Sequence, residues 1–341
     1  PLMQTTPVIK RIPRQWFILL AVLIVLATFP PEIWVILASR ITDFAAIFLG
    51  IFIEAAPFLL FGTLGSGIVE IFFPKDLLAR LIPKRALTGS LAGSLMGMLF
   101  PVCECGVVPL TRRMFRKGLP LSAGVAFLLA APVLNPIVLF GTASAFGVGV
   151  MLALRFGLSM AIAVSTGMVF SAAKSPLEAL KPLPGAVFTP LELPKNIEII
   201  QPPLLERWRQ VLTIALDEFF EMGRYLVLGA GLAAAMQTFI PQNLLVGLGQ
   251  DPVLSVLAMM ALAVLLSICS TVDSFVALGF VGIFSPGAIL AFLVFGPMVD
   301  IKSILMYARV FQPRPLIYLI LLPFLFSLLA GILVNYTLPG L

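Results

Sequence analysis

Long apolar stretches are the feature that most restricts how this chain can fold. Segments such as 151–170 and 315–336 stay apolar on every face for about 20 residues, the length that a helix needs to cross a bilayer. Hydrophobic residues make up 60% of the 341 and charged residues 11%, against about 45–50% and about 25% in soluble domains. A transmembrane barrel needs short segments of alternating polarity, which these stretches lack. The sequence predicts an all-α polytopic membrane protein.

Residue usage limits the chemistry further. The chain contains no histidine, which excludes imidazole proton relays and Ser-His or Cys-His catalytic pairs within it. Three cysteines are too few for a disulfide scaffold. The sequence has no GxxxxGK[ST] nucleotide-binding loop, so we expect a gradient or a partner protein to supply any energy. We expect no cofactor and no enzymatic activity.

Two segments of the chain repeat one another. Four matches occur in the same order, with an offset that shrinks by single residues: Glu54 with Glu221, Pro74 with Pro241, Cys103 with Cys269, and Asn135 with Asp300. We therefore divide the chain into a tail with a first transmembrane helix (1–39), a first repeat (40–173), a Pro-rich cytoplasmic linker (174–209) and a second repeat (210–341). The apolar run 16–38 is too long for a signal-peptide core, and we interpret it as a retained helix.

The placement of basic residues predicts how the two repeats are oriented. The equivalent connections of the second half, 242–252 and 280–287, contain no Lys or Arg. In the first half, basic residues gather in two connections: Lys75, Arg80, Lys84 and Arg85 in one, and Arg112, Arg113, Arg116 and Lys117 in the next. Because basic loops stay cytoplasmic, this asymmetry predicts inverted-topology repeats, with 87–116 and 252–284 re-entrant. The expected spans are 16–38, 44–73, 118–144, 147–172, 208–240, 286–308 and 316–337. The N-terminus and linker would be cytoplasmic and the C-terminus outside. In the alternative topology each half of a hairpin is a full span.

The two predicted breaks contain all three cysteines. Cys103 and Cys105 lie in PVCECGVVP, and Cys269 lies in SICSTVDS. Residues two apart diverge on a helix but share a face in an extended segment, so broken backbone would allow a shared thiol site that Cys269 completes. Thiolate suits soft species such as trivalent arsenic or copper(I). The alternative is that they are buried small hydrophobes.

Acidic residues in the same breaks are functional candidates, since ionisable groups inside a membrane are costly. We expect Glu104 and Asp273 to bind substrate and to couple transport to protons, unless they only accept hydrogen bonds from freed amides. On a helix, Asp273 would face the same way as Cys269. Asn135 and Asp300, each three residues beyond a proline, are expected to line the pathway.

Two further glutamates are candidates for ion coupling. Glu54 lies deep in its predicted helix, where a pathway role and a helix–helix hydrogen bond are both open. Glu221 has Arg224 at i+3, which could simply neutralise it. The glycines of these helices and of GSLAGSLMGM are predicted to permit close helix packing: Gly62, Gly65, Gly229 and Gly231.

The motifs PVCECGVVP and APVLNP, with their partners CSTVDSF and GPMVDIK, resemble the predicted permease family that includes the ArsP-type organoarsenical efflux permeases and the YraQ-like proteins. The resemblance covers roughly residues 40–337 and implies an inner-membrane permease. Its best-known branch exports trivalent organoarsenicals, while many members have no assigned cargo. The matching positions are Cys103, Glu104, Cys105, Asn135, Cys269, Asp273 and Asp300.

These observations together predict a secondary permease that exports a small thiophilic substrate from a site at the two breaks. The alternatives are a permease for another sulfur-containing or oxyanion solute, and a membrane thiol redox protein using Cys103 and Cys105. Against the redox alternative, Cys-x-Cys lacks the usual two-residue spacer. The expected partners are the substrate and the lipid bilayer, without nucleic acid, and self-association is left open.

Overall fold

The computed structural model describes residues 31–74, 82–83, 85–100, 103–172, 179–181, 203–239 and 251–338. The chain divides into two compact units, 1–46 and 47–341. The described part of the first unit, 31–46, is the beginning of a helix. All packing discussed below lies within 47–341.

The described residues form twelve α-helices. In chain order they are α1 (Pro31–Phe72), α2 (Ala86–Leu99), α3 (Glu104–Arg116), α4 (Leu121–Leu134), α5 (Pro136–Phe146), α6 (Val150–Phe170), α7 (Leu204–Phe239), α8 (Leu254–Leu266), α9 (Asp273–Leu278), α10 (Pro286–Phe295), α11 (Ile301–Val310) and α12 (Pro313–Thr337).

The first helix is longer than the sequence predicts. Separate helices over 16–38 and 44–73 were expected, but residues 31–72 form one continuous helix, and 16–30 lie outside the described residues. The polar residues at the expected connection, Arg40, Thr42 and Asp43, include no helix breaker. The Thr42 hydroxyl donates to the Ala38 carbonyl one turn earlier, at 2.9 Å. These polar residues therefore do not end the helix, because none of them is Pro or Gly.

Five helical segments are long and apolar enough to cross a membrane: Leu37–Phe72, Leu121–Phe146, Val150–Phe170, Leu204–Phe239 and Pro313–Thr337. The last four agree to within a few residues with the predicted spans 118–144, 147–172, 208–240 and 316–337. The protein is therefore a multi-pass helical membrane protein, as predicted.

The predicted breaks are present in the backbone. The first lies between the end of α2 at Leu99 and the start of α3 at Glu104, and the second separates α8 from α9 at 267–272. Helix α2 has 14 residues and α8 has 13, or about 20 Å each, short of the roughly 30 Å hydrocarbon core. Two further interruptions separate α4 from α5 at Asn135 and α10 from α11 at 296–300. Irregular backbone at this depth is tolerated where protein buries it or where it lines a cavity.

The order of elements is the same in α2–α6 and α8–α12: two short helices separated by a break, two more separated by a capped interruption, then a long helix. Helices α2, α4 and α6 pack together, and so do α8, α10 and α12. Between the two groups, α3 packs on α11 and α9 packs on α5. The division of the chain into two repeats stays a prediction.

The small residues of α2 bring its backbone against α4. A Cβ built on Gly93 would overlap the backbone of Ala123, and one on Gly97 would lie 2.8 Å from the Ala131 nitrogen. Gly62 and Gly229 likewise allow close approach, to Gly106 and to the Lys302 backbone. Gly231 has nothing within 4 Å, so its predicted packing role is wrong. These contacts place α3 and α11 against their neighbouring long helices.

We expect Gly93→Ala to destabilise the protein by about 1–3 kcal/mol, since the methyl group has no room beside Ala123. Gly157→Ala in α6 is the matched control, because nothing lies within 4 Å of its Cβ position. Alanine is the better helix former by roughly 1 kcal/mol, so the control should raise Tm slightly. Thermal unfolding in detergent measures both variants. Equal shifts of the same sign would contradict the close contact.

Candidate functional site

Two side chains cap the helices that follow the second pair of interruptions. The Asn135 Oδ1 accepts from the Val138 N–H at 2.9 Å, and the Asp300 Oδ1 accepts from the Ser303 N–H at 2.7 Å. The Ser303 hydroxyl in turn accepts from the Asp300 N–H at 2.8 Å. Both capping residues are buried. Each therefore begins a helix at membrane depth and satisfies amides that water cannot reach.

Side chains from other helices satisfy backbone oxygens that the interruptions free. Lys302 Nζ donates to the Ser267 carbonyl at 2.8 Å, and Gln237 Nε2 donates to the Leu266 carbonyl at 2.7 Å. At the interruption before α11, the buried Tyr307 hydroxyl donates to the Met298 carbonyl at 3.1 Å. Ser267 has a left-handed backbone, with φ 48°. Helices α7 and α11 therefore stabilise the second break directly.

A buried lysine lies where the two breaks meet. Lys302 Nζ is 3.3 Å from Glu104 Oε1 at the start of α3 and 3.3 Å from Asp300 Oδ2. The Ser267 hydroxyl also donates to Asp300 Oδ2, at 2.6 Å. Each of the three charged side chains is 2% exposed. Glu104 Oε2 has no hydrogen-bond partner among the described residues. Lys302 thus connects the acid of the first break to the backbone of the second.

The three thiols lie together beside this lysine. The Cys103 side chain is close enough to those of Cys105 and Cys269 to interact with both electrostatically, and all three thiols are free and buried. Cys103 is extended, whereas Cys105 already belongs to α3, so the expectation that both lie in an extended segment is wrong for Cys105. Within the described residues, no three Cys, Asp or Glu side chains are arranged to hold a metal ion. A shared metalloid site on the thiols stays a prediction.

Asp273, the acid of the second break, pairs with an arginine. Its oxygens accept from Arg155 Nη2 at 2.5 Å and Nη1 at 3.1 Å. Arg155 Nη1 also donates to the hydroxyls of Thr142 and Ser274, at 2.7 Å each. The arginine is 0% exposed. Asp273 therefore joins α9 to α5 and α6, while the expectation that it faces the same way as Cys269 stays a prediction.

Glu54 lies near the thiols from the side of α1. The Thr271 hydroxyl of the second break donates to Glu54 Oε1 at 3.4 Å. The Glu54 side chain is half-buried. The hydrogen bond across helices that the sequence left open is therefore present, and it leads to the break itself.

A second group of charges lies farther along the same helices, and we call it the arginine–glutamate cluster: Glu70, Arg112, Arg113, Glu218, Glu221 and Arg309. Glu221 accepts from Arg309 Nη2 at 2.7 Å and from Arg112 Nη1 at 3.3 Å. Arg113 pairs with Glu218 at 2.5 Å and with Glu70 at 3.4 Å. The expected neutralisation of Glu221 by Arg224 is replaced by these pairs. Arg112 and Arg113 also belong to α3 rather than to a connection.

The structure thus brings Cys103, Glu104, Cys105, Cys269 and Asp300 together around Lys302. Asp273 lies instead in α9, paired with Arg155 of α6, and Asn135 caps the start of α5. Sequence reasoning missed two of the buried cations, Lys302 and Arg155. The same rule that selected the acids could have found them, because a cation inside an apolar helix is as costly as an acid.

Broken helices with buried charges inside a multi-pass helical bundle are an arrangement that many secondary transporters share. The ArsP_1 family, described as a predicted permease, matches residues 40–336. The chain therefore belongs to this family of predicted permeases, as the sequence motifs predicted.

Three relatives extend this comparison. The chain is 43% identical over 294 residues to the UPF0718 protein YcgR of Bacillus subtilis, covering 86% of this chain and 97% of that protein. It is 36% identical over 282 residues to a "Putative two-component membrane permease complex subunit" of Streptococcus mutans, covering 82% and 90%. It is 27% identical over 106 residues to the UPF0718 protein YraQ of Escherichia coli, covering 31% of each. No solved structure matches this chain.

Proposed function

We propose that the protein is a secondary permease that exports a small thiophilic substrate, such as a trivalent organoarsenical. The observation that carries the proposal is the convergence of three buried thiols on the meeting point of two broken helices. Thiolate sulfur is the protein ligand that soft trivalent metalloids prefer. Family membership supports transport, and the thiols support the class of cargo.

In the proposed site, the ligands are Cys103, Cys105 and Cys269. The charged side chains beside them are Glu104, Asp300 and Lys302. Asn135, at the start of α5, and Asp273, in α9, are proposed to line the pathway. Among the acids first proposed for ion coupling, Asp273 and Glu221 each have arginine partners. Glu104 and Glu54 are the stronger candidates, because Glu104 shares its lysine with Asp300 and Glu54 meets a hydroxyl.

The proposed topology has two inverted repeats, with the basic end of α3 and the linker in the cytoplasm. Its support is the repeated order of elements and the reciprocal contacts of α3 with α11 and of α9 with α5. Half-helices too short to span favour re-entrant segments. On this topology the N-terminus is cytoplasmic and the C-terminus outside.

One other cargo class has an observation in its favour. The Lys302 ammonium lies beside the thiols, and a buried cation attracts an oxyanion or a sulfur-containing anion. Pairing of Lys302 with two carboxylates opposes this alternative, because both acids already neutralise it. A second component is also proposed, since the Streptococcus mutans relative is named as a subunit of a two-component complex.

Transport into inside-out vesicles tests the proposal. Vesicles containing the parent chain should accumulate trivalent methylarsenite, and replacing Cys103, Cys105 or Cys269 with Ser should each lower the initial rate about tenfold or more. Tenfold corresponds to about 1.4 kcal/mol, a modest value for losing a soft ligand. Ser270→Ala is the matched control, since this buried hydroxyl beside Cys269 has no partner among the described residues.

The outcomes separate the alternatives. Unchanged uptake in all three cysteine variants would remove the thiols from the site. No uptake by the parent chain, with uptake of a labelled oxyanion instead, would favour the second cargo class. A measurable midpoint potential for the Cys103 and Cys105 pair would favour a thiol redox protein.

A further inference from the structure

We infer that the arginine–glutamate cluster is the gate that closes one end of the substrate pathway. The inference rests on the proposed permease function and assigns a role to six side chains that the proposed thiol site does not use. The cluster joins four helices, because Glu70 is on α1, Arg112 and Arg113 on α3, Glu218 and Glu221 on α7, and Arg309 on α11.

Three of these helices lie side by side and meet at two levels. At the level of the thiol site, Glu104 of α3 pairs with Lys302 of α11, whose backbone packs on Gly229 of α7. At the second level, Arg112 of α3 and Arg309 of α11 both pair with Glu221 of α7. Seven or eight residues separate the levels on each helix, or about 10–12 Å. The cluster therefore holds the three helices together at a level about 10–12 Å beyond the thiol site.

The exposure of the cluster suits a contact that opens and closes. Glu70 and Glu221 are 29% and 24% exposed, so water reaches this level of the bundle. The Arg155–Asp273 pair, by contrast, is 0% and 4% exposed. Breaking a pair that water can reach costs little, whereas separating a dry pair leaves uncompensated charges. Arg112 and Glu218 are 3% and 5% exposed, so the most accessible members of the cluster are Glu70 and Glu221, and their pairs can dissociate more readily than the Arg155–Asp273 pair.

Glu54 aligns with Glu221 in the repeated sequence, yet its hydrogen-bond partner within the described residues is the Thr271 hydroxyl of the second break rather than an arginine. Glu54 therefore lies at the level of the thiol site, whereas Glu221 pairs with Arg112 and Arg309 at the second level. The inferred gate is accordingly assigned to the end of the helices where α3 finishes.

The native thiols allow the gate to be tested without any cargo. Labelling of Cys103, Cys105 and Cys269 by a charged, membrane-impermeant methanethiosulfonate is followed by mass spectrometry, in intact cells and in inside-out vesicles. The double variant Glu218→Gln/Glu221→Gln removes two carboxylates of the cluster. Its three arginines then face one another without these negative charges. We expect at least about tenfold faster labelling from one face of the membrane and an unchanged rate from the other.

The control is Glu206→Gln on the same helix, which removes an exposed pair with Arg209 at 4.0 Å and should leave both rates unchanged. Arg309→Gln removes one partner of Glu221 and should accelerate labelling about threefold from the same face. This milder variant keeps the test decisive if the double variant does not fold. Unchanged labelling in folded variants, or equal acceleration from both faces, would overturn the gate. Because the readout needs no transported substrate, failure of arsenical transport leaves it intact.

Discussion

Lys302→Met is expected to lower the free energy of unfolding by about 3–5 kcal/mol, the usual cost of removing one partner from a buried ion pair. Without the ammonium, Glu104 and Asp300 face one another in a region where each is 2% exposed. The Ser267 carbonyl also loses its donor at the second break. Thermal unfolding in detergent, followed by a thiol-reactive dye on the three buried cysteines, should show a fall in Tm of roughly 10 °C.

Glu104→Gln is the control for this prediction. It removes one carboxylate but leaves Lys302 paired with Asp300 and bound to the Ser267 carbonyl. The expected loss is about 1–2 kcal/mol, the value of a hydrogen bond to a charged group. If Lys302→Met is no less stable than Glu104→Gln, the lysine does not hold the two breaks together.

Arg155→Leu should destabilise the protein by a similar amount, about 3–5 kcal/mol, because Asp273 would keep a buried charge without its partner. The hydroxyls of Thr142 and Ser274 would lose a donor as well. Both side chains of this pair are buried, with exposures of 0% and 4%. Expression, monodispersity and Tm in detergent report the effect.

The double variant Arg155→Leu/Asp273→Leu separates the two sources of this loss. Replacing a buried ion pair by apolar side chains is often neutral or stabilising, so most of the lost Tm should return. A double variant less stable than Arg155→Leu alone would mean that Asp273 stabilises α9 independently of the arginine.

Much of the fold follows from local properties of the sequence. Apolar length predicted four of the spanning segments, and proline lies close to both interruptions of the second pair, at Asn135 and at 296–300. The Pro132 and Pro297 segments also contain the helix caps Asn135 and Asp300, since a short polar side chain after an interruption is a good N-cap. Each of these features depends on a few neighbouring residues.

The partners within the site depend on packing and were not predicted. Arg155 lies in an apolar helix and Lys302 two residues after a cap, and their acids are 118 and 198 residues away in the chain. Arg112 and Arg113 matched the pattern of a cytoplasmic loop, although they are paired side chains of α3. The pattern of charges in the sequence indicates which side chains avoid lipid. Only the tertiary structure decides whether water or an opposite charge stabilises each charged group.

Helix α11 carries Lys302 near its first residue and Arg309 near its last, and its ten residues include no proline. A helix this short moves as a rigid rod of about 10 Å between those two side chains. A tilt of roughly 15° about either end would displace the other by about 3 Å, more than ion pairs of 2.7–3.3 Å tolerate. On the proposed function, occupancy of the thiol site and closure at Glu221 would be linked by lever geometry alone, without a chain of intermediate side chains.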